Sequence, residues 1–116
     1  MSKQYDLKER TFQFAKNVSL YNKKLPRDVS NIEYGKQVVR SSGSVGANYI
    51  EVNEALSKRD FIMRIKISRK EAKESAYWPR LIIETNSEEY TKEGNKFSNE
   101  AIELKKILSS ILEKSK

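Results

Sequence analysis

Five cations in the middle of the chain recur at the spacing of one helix face. On an α-helix at about 100° per residue, Lys66, Lys70, Lys73 and Arg80 fall within roughly 60° of Arg59. Such a row can neutralise several phosphates together and release their condensed counterions, the sequence-independent part of nucleic-acid binding. Lys36 and Arg40, on the segment before it, are candidate helpers. Glu74 lies near the edge of the row and dilutes it, and the plainer alternative is a solvated face that serves solubility.

Other chemistries have fewer residues to run on. The 116-residue chain contains no His and no Cys. That removes disulfide frameworks, cysteine–histidine zinc sites, thiol nucleophiles and imidazole acid–base work. Glu51 with Glu54, and Glu71 with Glu74, stand at helical spacing, but di-metal sites in helical bundles add a Glu-x-x-His from two helices. Arg40-Ser41-Ser42-Gly43-Ser44-Val45-Gly46-Ala47-Asn48 lacks the Gly-Lys-Ser/Thr end of a phosphate-binding loop. Its glycines are expected to serve close helix packing, at about 1 kcal/mol of helix propensity each. No catalytic residue, metal site or cofactor is therefore assigned, and the chain is not expected to be an enzyme.

The elements that position the cations are helical almost throughout, because apolar residues recur at steps of three and four and nowhere alternate. The spacing predicts helices over about 6–24, 31–56, 58–84 and 88–114. Leu7, Phe14, Val18, Tyr21 and Leu25 form the first seam, which Pro26 ends. Ser30-Asn31-Ile32-Glu33 has the form of a capping box, and Val38, Ser42, Val45, Tyr49, Val52 and Leu56 follow it. Ser57-Lys58-Arg59-Asp60 begins the third helix, with Phe61, Ile65, Ser68, Ala72, Ala76 and Ile83 toward the core and a bend expected at Pro79. Asn86-Ser87-Glu88-Glu89 begins the fourth, whose seam runs through Tyr90, Phe97, Ala101, Leu104, Leu108 and Ile111. These four helices describe a single all-α domain, an antiparallel up-down-up-down four-helix bundle.

The third helix carries a second apolar strip, Met63, Ile67, Trp78 and Leu81, beside the basic row. A wide core face with scattered exposed residues would account for it. The sharper reading is a subunit interface, since Trp and Met are enriched in interface cores.

Lys and Arg number 23 against 16 Asp and Glu, a net charge of +7. Residues 1–40 hold nine basic and four acidic side chains, residues 41–84 eight and six, and residues 85–116 six of each. Such a surplus raises the local concentration of polyanions such as nucleic acid or anionic lipid. From charge alone the plainer reading, a soluble protein kept from aggregating by its charge, is favoured. No apolar run approaches the roughly 20 residues of a membrane span, and the first residues lack the apolar stretch of a signal peptide. A cytoplasmic location without membrane contact is expected.

The run Tyr34-Gly35-Lys36-Gln37-Val38-Val39-Arg40-Ser41-Ser42-Gly43-Ser44-Val45-Gly46-Ala47-Asn48-Tyr49-Ile50-Glu51 resembles the signature of the four helix bundle protein family, the 23S ribosomal RNA intervening-sequence or S23 proteins. Glu54 to Ile62 and Lys70 to Trp78 resemble two further blocks of that family. The resemblance implies a small bacterial protein that forms a homopentamer of four-helix bundles, some members being encoded within intervening sequences of 23S rRNA genes. The family is also similar to the accessory variability protein of diversity-generating retroelements, a basic pentamer that associates with nucleic acid and a reverse transcriptase. Pro79 departs from the family pattern, which usually has leucine there. Two functions follow as expectations: a non-enzymatic oligomer that binds nucleic acid, RNA or rRNA in particular, through the basic row, or an oligomeric scaffold for a protein partner such as a reverse transcriptase.

Overall fold

The computed structural model describes residues 6–116, and among them every regular element is a helix. Four long helices follow in order: α1 (Leu7–Lys24), α2 (Val29–Val52), α3 (Lys58–Glu84) and α4 (Thr91–Lys114), the last preceded by a 3-10 turn at Glu88–Tyr90. Consecutive helices pack antiparallel, so the chain runs up, down, up, down within extents of 45 × 30 × 19 Å. The antiparallel register is visible in the pairing of Ser68 with Val45 and of Ser75 with Ser41 across α2 and α3. α3 packs most extensively, against both α2 and α4.

The core collects the three-four seams. Phe14, Val18 and Tyr21 of α1 meet Val38 and Val45 of α2, Ile65, Ala72 and Ile82 of α3, and Phe97, Leu104 and Leu108 of α4. The ring of Tyr21 stands edge-on to Phe97 with centroids 5.2 Å apart. Its hydroxyl donates to the Tyr90 carbonyl at 2.8 Å, which gives the buried phenol a partner and ties α1 to the start of α4. Burial pushes the Tyr21 phenol up to about 12, with smaller contributions from Glu93 and Tyr90. Farther along, Arg10 grips Glu100 through Nε at 2.7 Å and Nη2 at 2.8 Å. The hydrogen bond to Glu100 raises the guanidinium pKa further, against a smaller opposing effect of burial.

Several boundaries differ from expectation for local reasons. α2 starts at Val29 because Asp28, not Ser30, is its cap: the Asp28 carboxylate accepts the Asn31 N–H at 2.8 Å. A negative charge there also suits the positive end of the helix dipole. α2 stops at Val52, so Leu56 belongs to the turn and is 96% exposed instead of joining the seam. Ser57 does cap α3, accepting the Asp60 N–H at 3.1 Å. Asn86 does not cap α4. It exchanges amide hydrogen bonds with Asn31 at 2.8 and 2.9 Å, closing one end of the bundle.

On α3 the buried arc is wider than one stripe, since helices cover it on two sides. Glu71, Ser75, Pro79 and Ile82 are buried beside Ile65, Ser68 and Ala72, whereas Phe61, Ala76 and Ile83 are only half-buried. Pro79 does not break α3; the helix continues past it to Glu84 with the ring fully buried. On α4, Leu112 takes the buried place expected of Ile111. Gly46 fits the packing reading, since a Cβ there would lie 2.9 Å from Thr11 Oγ1. Gly43 does not, because a Cβ there would meet open space.

Candidate nucleic-acid interface

α3 presents its basic row to solvent along about 30 Å, from Arg59 to Arg80 at 1.5 Å per residue. Arg59, Lys66, Lys70, Lys73 and Arg80 are all exposed. Lys70 lies 3.6 Å from Glu74 one turn on. Among the described residues, Arg59, Lys66, Lys73 and Arg80 form no ion pair with a carboxylate.

The antiparallel packing of α4 adds what no single helix could supply. Lys66, Arg69, Lys70 and Lys73 of α3 line a groove of about 320 Å³ with Lys105 and Ser109 of α4. Its lining holds five cations and a hydroxyl, and no carboxylate. Arg69 and Lys105 are half-buried, so their alkyl stems are packed and fewer rotamers remain to be lost when an anion binds. Five like charges around one groove repel one another, and an anion with several oxygens relieves that repulsion. The arrangement suits phosphate contacts from donors on both walls.

Sequence reasoning missed Arg69, Lys105 and Ser109. Arg69 lies about 80° from Arg59 on the helix wheel, outside the arc that defined the row. Lys105 stands in a segment without net charge, and only the α3–α4 register reveals its place. The one available signal was the adjacent pair Lys105-Lys106 on a three-four seam.

The proposed helpers are placed apart from the groove. Arg40 reaches from α2 to α3, with Nη1 3.8 Å from Glu71 and Nη2 3.5 Å from Glu74. Lys36 lies 3.6 Å from Glu33 on its own helix. Glu71 is buried, and its Oε1 has no hydrogen-bond partner, so the distant Arg40 charge is the compensation available to it. Glu71 and Glu74 thus border the basic surface on the α2 side. Among the described residues no three carboxylates gather as a metal site would require.

The apolar strip divides in two. Met63 is 51% exposed, and Ile67 and Leu81 are half-buried. Trp78 is packed within its own bundle, against Tyr34 of α2 at a centroid distance of 6.1 Å, and its Nε1–H is buried without a partner.

Comparisons with known proteins fit this architecture. The family model described as 23S rRNA-intervening sequence protein matches residues 3–110. The chain is similar to a protein of unknown function from the S23 ribosomal protein family of Bacteroides thetaiotaomicron, known from a crystal structure. The two share 33% sequence identity and a TM-score of 0.77, over 97% of this chain and 99% of the other. A comparison with curated proteins gives no match. No helix among the described residues is long and apolar enough to cross a membrane.

Proposed function

Because the chain belongs to the 23S rRNA-intervening sequence protein family, we propose that it is a non-enzymatic nucleic-acid-binding protein whose α3–α4 groove holds backbone phosphates. One observation carries this reading: five cations line the groove with no carboxylate among them. Lys66, Lys70, Lys73, Arg69 and Lys105 make the central contacts, and Arg59 and Arg80 extend them along α3. Phosphate contacts of this kind give affinity and register without reading bases, so specificity comes from the shape of the nucleic acid or from a partner. RNA is the favoured class, on the family's description alone.

The protein acts as a homo-oligomer, with Met63, Ile67 and Leu81 meeting a second copy and Trp78 stiffening the strip from beneath. Repetition of the basic groove around such an assembly multiplies the field that a polyanion meets. A pentamer is the expected subunit number, and sedimentation of the purified protein measures it.

Reversing Lys66, Lys70 and Lys73 to Glu tests the reading. The variant is expected to lose retention of RNA and DNA while its far-ultraviolet circular dichroism stays unchanged, since all three side chains are exposed. Retention equal to that of the unaltered protein rejects the groove as the binding surface.

A further inference from the structure

An aromatic residue stands within the cationic row. Tyr77 follows Lys73 by four residues and precedes Arg80 by three. It lies about five turns of 3.6 residues beyond Arg59, at nearly the same angle around α3. Its side chain is 53% exposed, so the ring is within reach of a ligand on that surface.

The ring is also braced. Tyr77 stands edge-on to Trp78 at a centroid distance of 5.1 Å and an interplanar angle of 77°, and Trp78 leans in turn on Tyr34. The Trp78 indole is anchored against the core. A surface aromatic held from behind loses little rotamer freedom when something lies on its face. Positive charges on either side place a phosphodiester backbone within reach of the exposed ring.

Resting on the phosphate-binding reading above, we propose that Tyr77 is a stacking platform for an unpaired nucleobase and that the preferred ligand is single-stranded nucleic acid. In a duplex the bases are stacked on one another and turned away from the phosphates, so Tyr77 has no face to meet. In a single strand, a base adjoining the phosphates held by Lys73 and Arg80 can rotate onto the ring. Stacking on an aromatic side chain is tolerant of sequence, because every base has a π-face.

The test is fluorescence anisotropy with three labelled probes of equal length: a single-stranded RNA, the same backbone with abasic residues, and an RNA duplex. The unaltered protein is expected to bind the base-bearing single strand most tightly. Tyr77→Ala should weaken that binding about 10-fold, within the range for one stacked base. It should leave the abasic and duplex affinities, and the slope of affinity against salt, unchanged. Tyr77→Phe should restore the affinity, since the ring and not the hydroxyl does the stacking. Equal single-strand affinity for Tyr77→Ala overturns the platform, as does equal loss on base-bearing and abasic strands. A Tyr77→Ala protein that sediments as a smaller species overturns it as well, by making the ring part of a subunit contact. If the unaltered protein binds none of the probes, the phosphate-groove reading falls first and the platform with it.

Discussion

The carboxylate of Glu74 lies between two cations from different helices, 3.5 Å from Arg40 Nη2 on α2 and 3.6 Å from Lys70 Nζ on α3. It is the acidic border of the basic surface. On one side Arg40 is held away from the groove, and on the other Lys70 divides its charge between Glu74 and solvent. Removing that charge while keeping the side-chain shape frees Lys70 for phosphate, while Arg40 stays beside Glu71. Glu74→Gln is therefore expected to tighten RNA binding about three-fold, the scale of one surface ion pair, and to steepen the salt dependence. Anisotropy titrations from 50 to 200 mM salt, concentrations over which phosphate contacts weaken strongly, measure both effects.

Two glycines three residues apart on α2 should respond in opposite directions. Gly43 faces open space, so Gly43→Ala gains helix propensity at no steric cost and should stabilise the fold by about 1 kcal/mol. A Cβ on Gly46 would come within 2.9 Å of Thr11 Oγ1 and 3.2 Å of Thr11 Cβ, forcing α1 and α2 apart. Gly46→Ala should therefore destabilise by about 1–3 kcal/mol, the usual cost of overpacking. Thermal melts of the two variants separate them, and a stabilised Gly46→Ala protein contradicts the packing assigned to that crossing.

The same pair shows where sequence alone stops. Both glycines belong to one small-residue run, and the three-four pattern of Val38, Ser42, Val45 and Val52 fixes the helix without saying which glycine another helix approaches. That depends on the α1–α2 crossing, a property of two segments at once. The basic groove has the same history. Lys66, Lys70 and Lys73 share a face of one helix and are legible from spacing, whereas Lys105 joins them only through the register of α4. Likewise Asp28 and Ser30 are equally good caps by type, and Asn31 resolves the choice. Its backbone N–H turns to Asp28 while its side chain bridges the Pro26 carbonyl and Asn86. Leu56 matched the seam by number and left it because α2 ends one turn earlier.

The reciprocal amides of Asn31 and Asn86 join the first turn of α2 to the segment just past α3, where Asn86 Nδ2 also donates to the Ile82 carbonyl at 2.8 Å. Replacing either residue by Ala leaves the other's Oδ1 without its amide donor, while the remaining Nδ2 keeps its backbone carbonyl, at a cost of about 1–3 kcal/mol. The double variant should cost less than the sum of the single ones. Urea denaturation of all four proteins measures the coupling, and strict additivity contradicts a shared network.

Alkaline pH should unfold the protein partly through Tyr21. Its phenol holds its proton to about 12 in the fold, against an ordinary value of 10.0. Below pH 10 both folded and unfolded chains keep that proton, and the contribution to stability is fully present. Between pH 10 and 12 the unfolded chain releases it while the folded chain does not, so stability falls as pH rises. Tyr21→Phe lacks this titration and should show a flatter stability profile over that interval. It should also be less stable at neutral pH by about 1 kcal/mol, because the hydrogen bond to the Tyr90 carbonyl is gone. Identical alkaline slopes in the two proteins contradict the assignment.

Lysine acetylation of the RNA-bound protein, read by mass spectrometry, tests the phosphate-groove claim most directly. Lys66, Lys70, Lys73 and Lys105 line the groove, whereas Lys8 and Lys16 stand exposed on α1 outside it. Addition of a single-stranded RNA is expected to slow labelling of the four groove lysines and to leave Lys8 and Lys16 reacting as they do in the free protein. Groove lysines that label at the same rate with RNA bound, or protection confined to α1, would contradict the account.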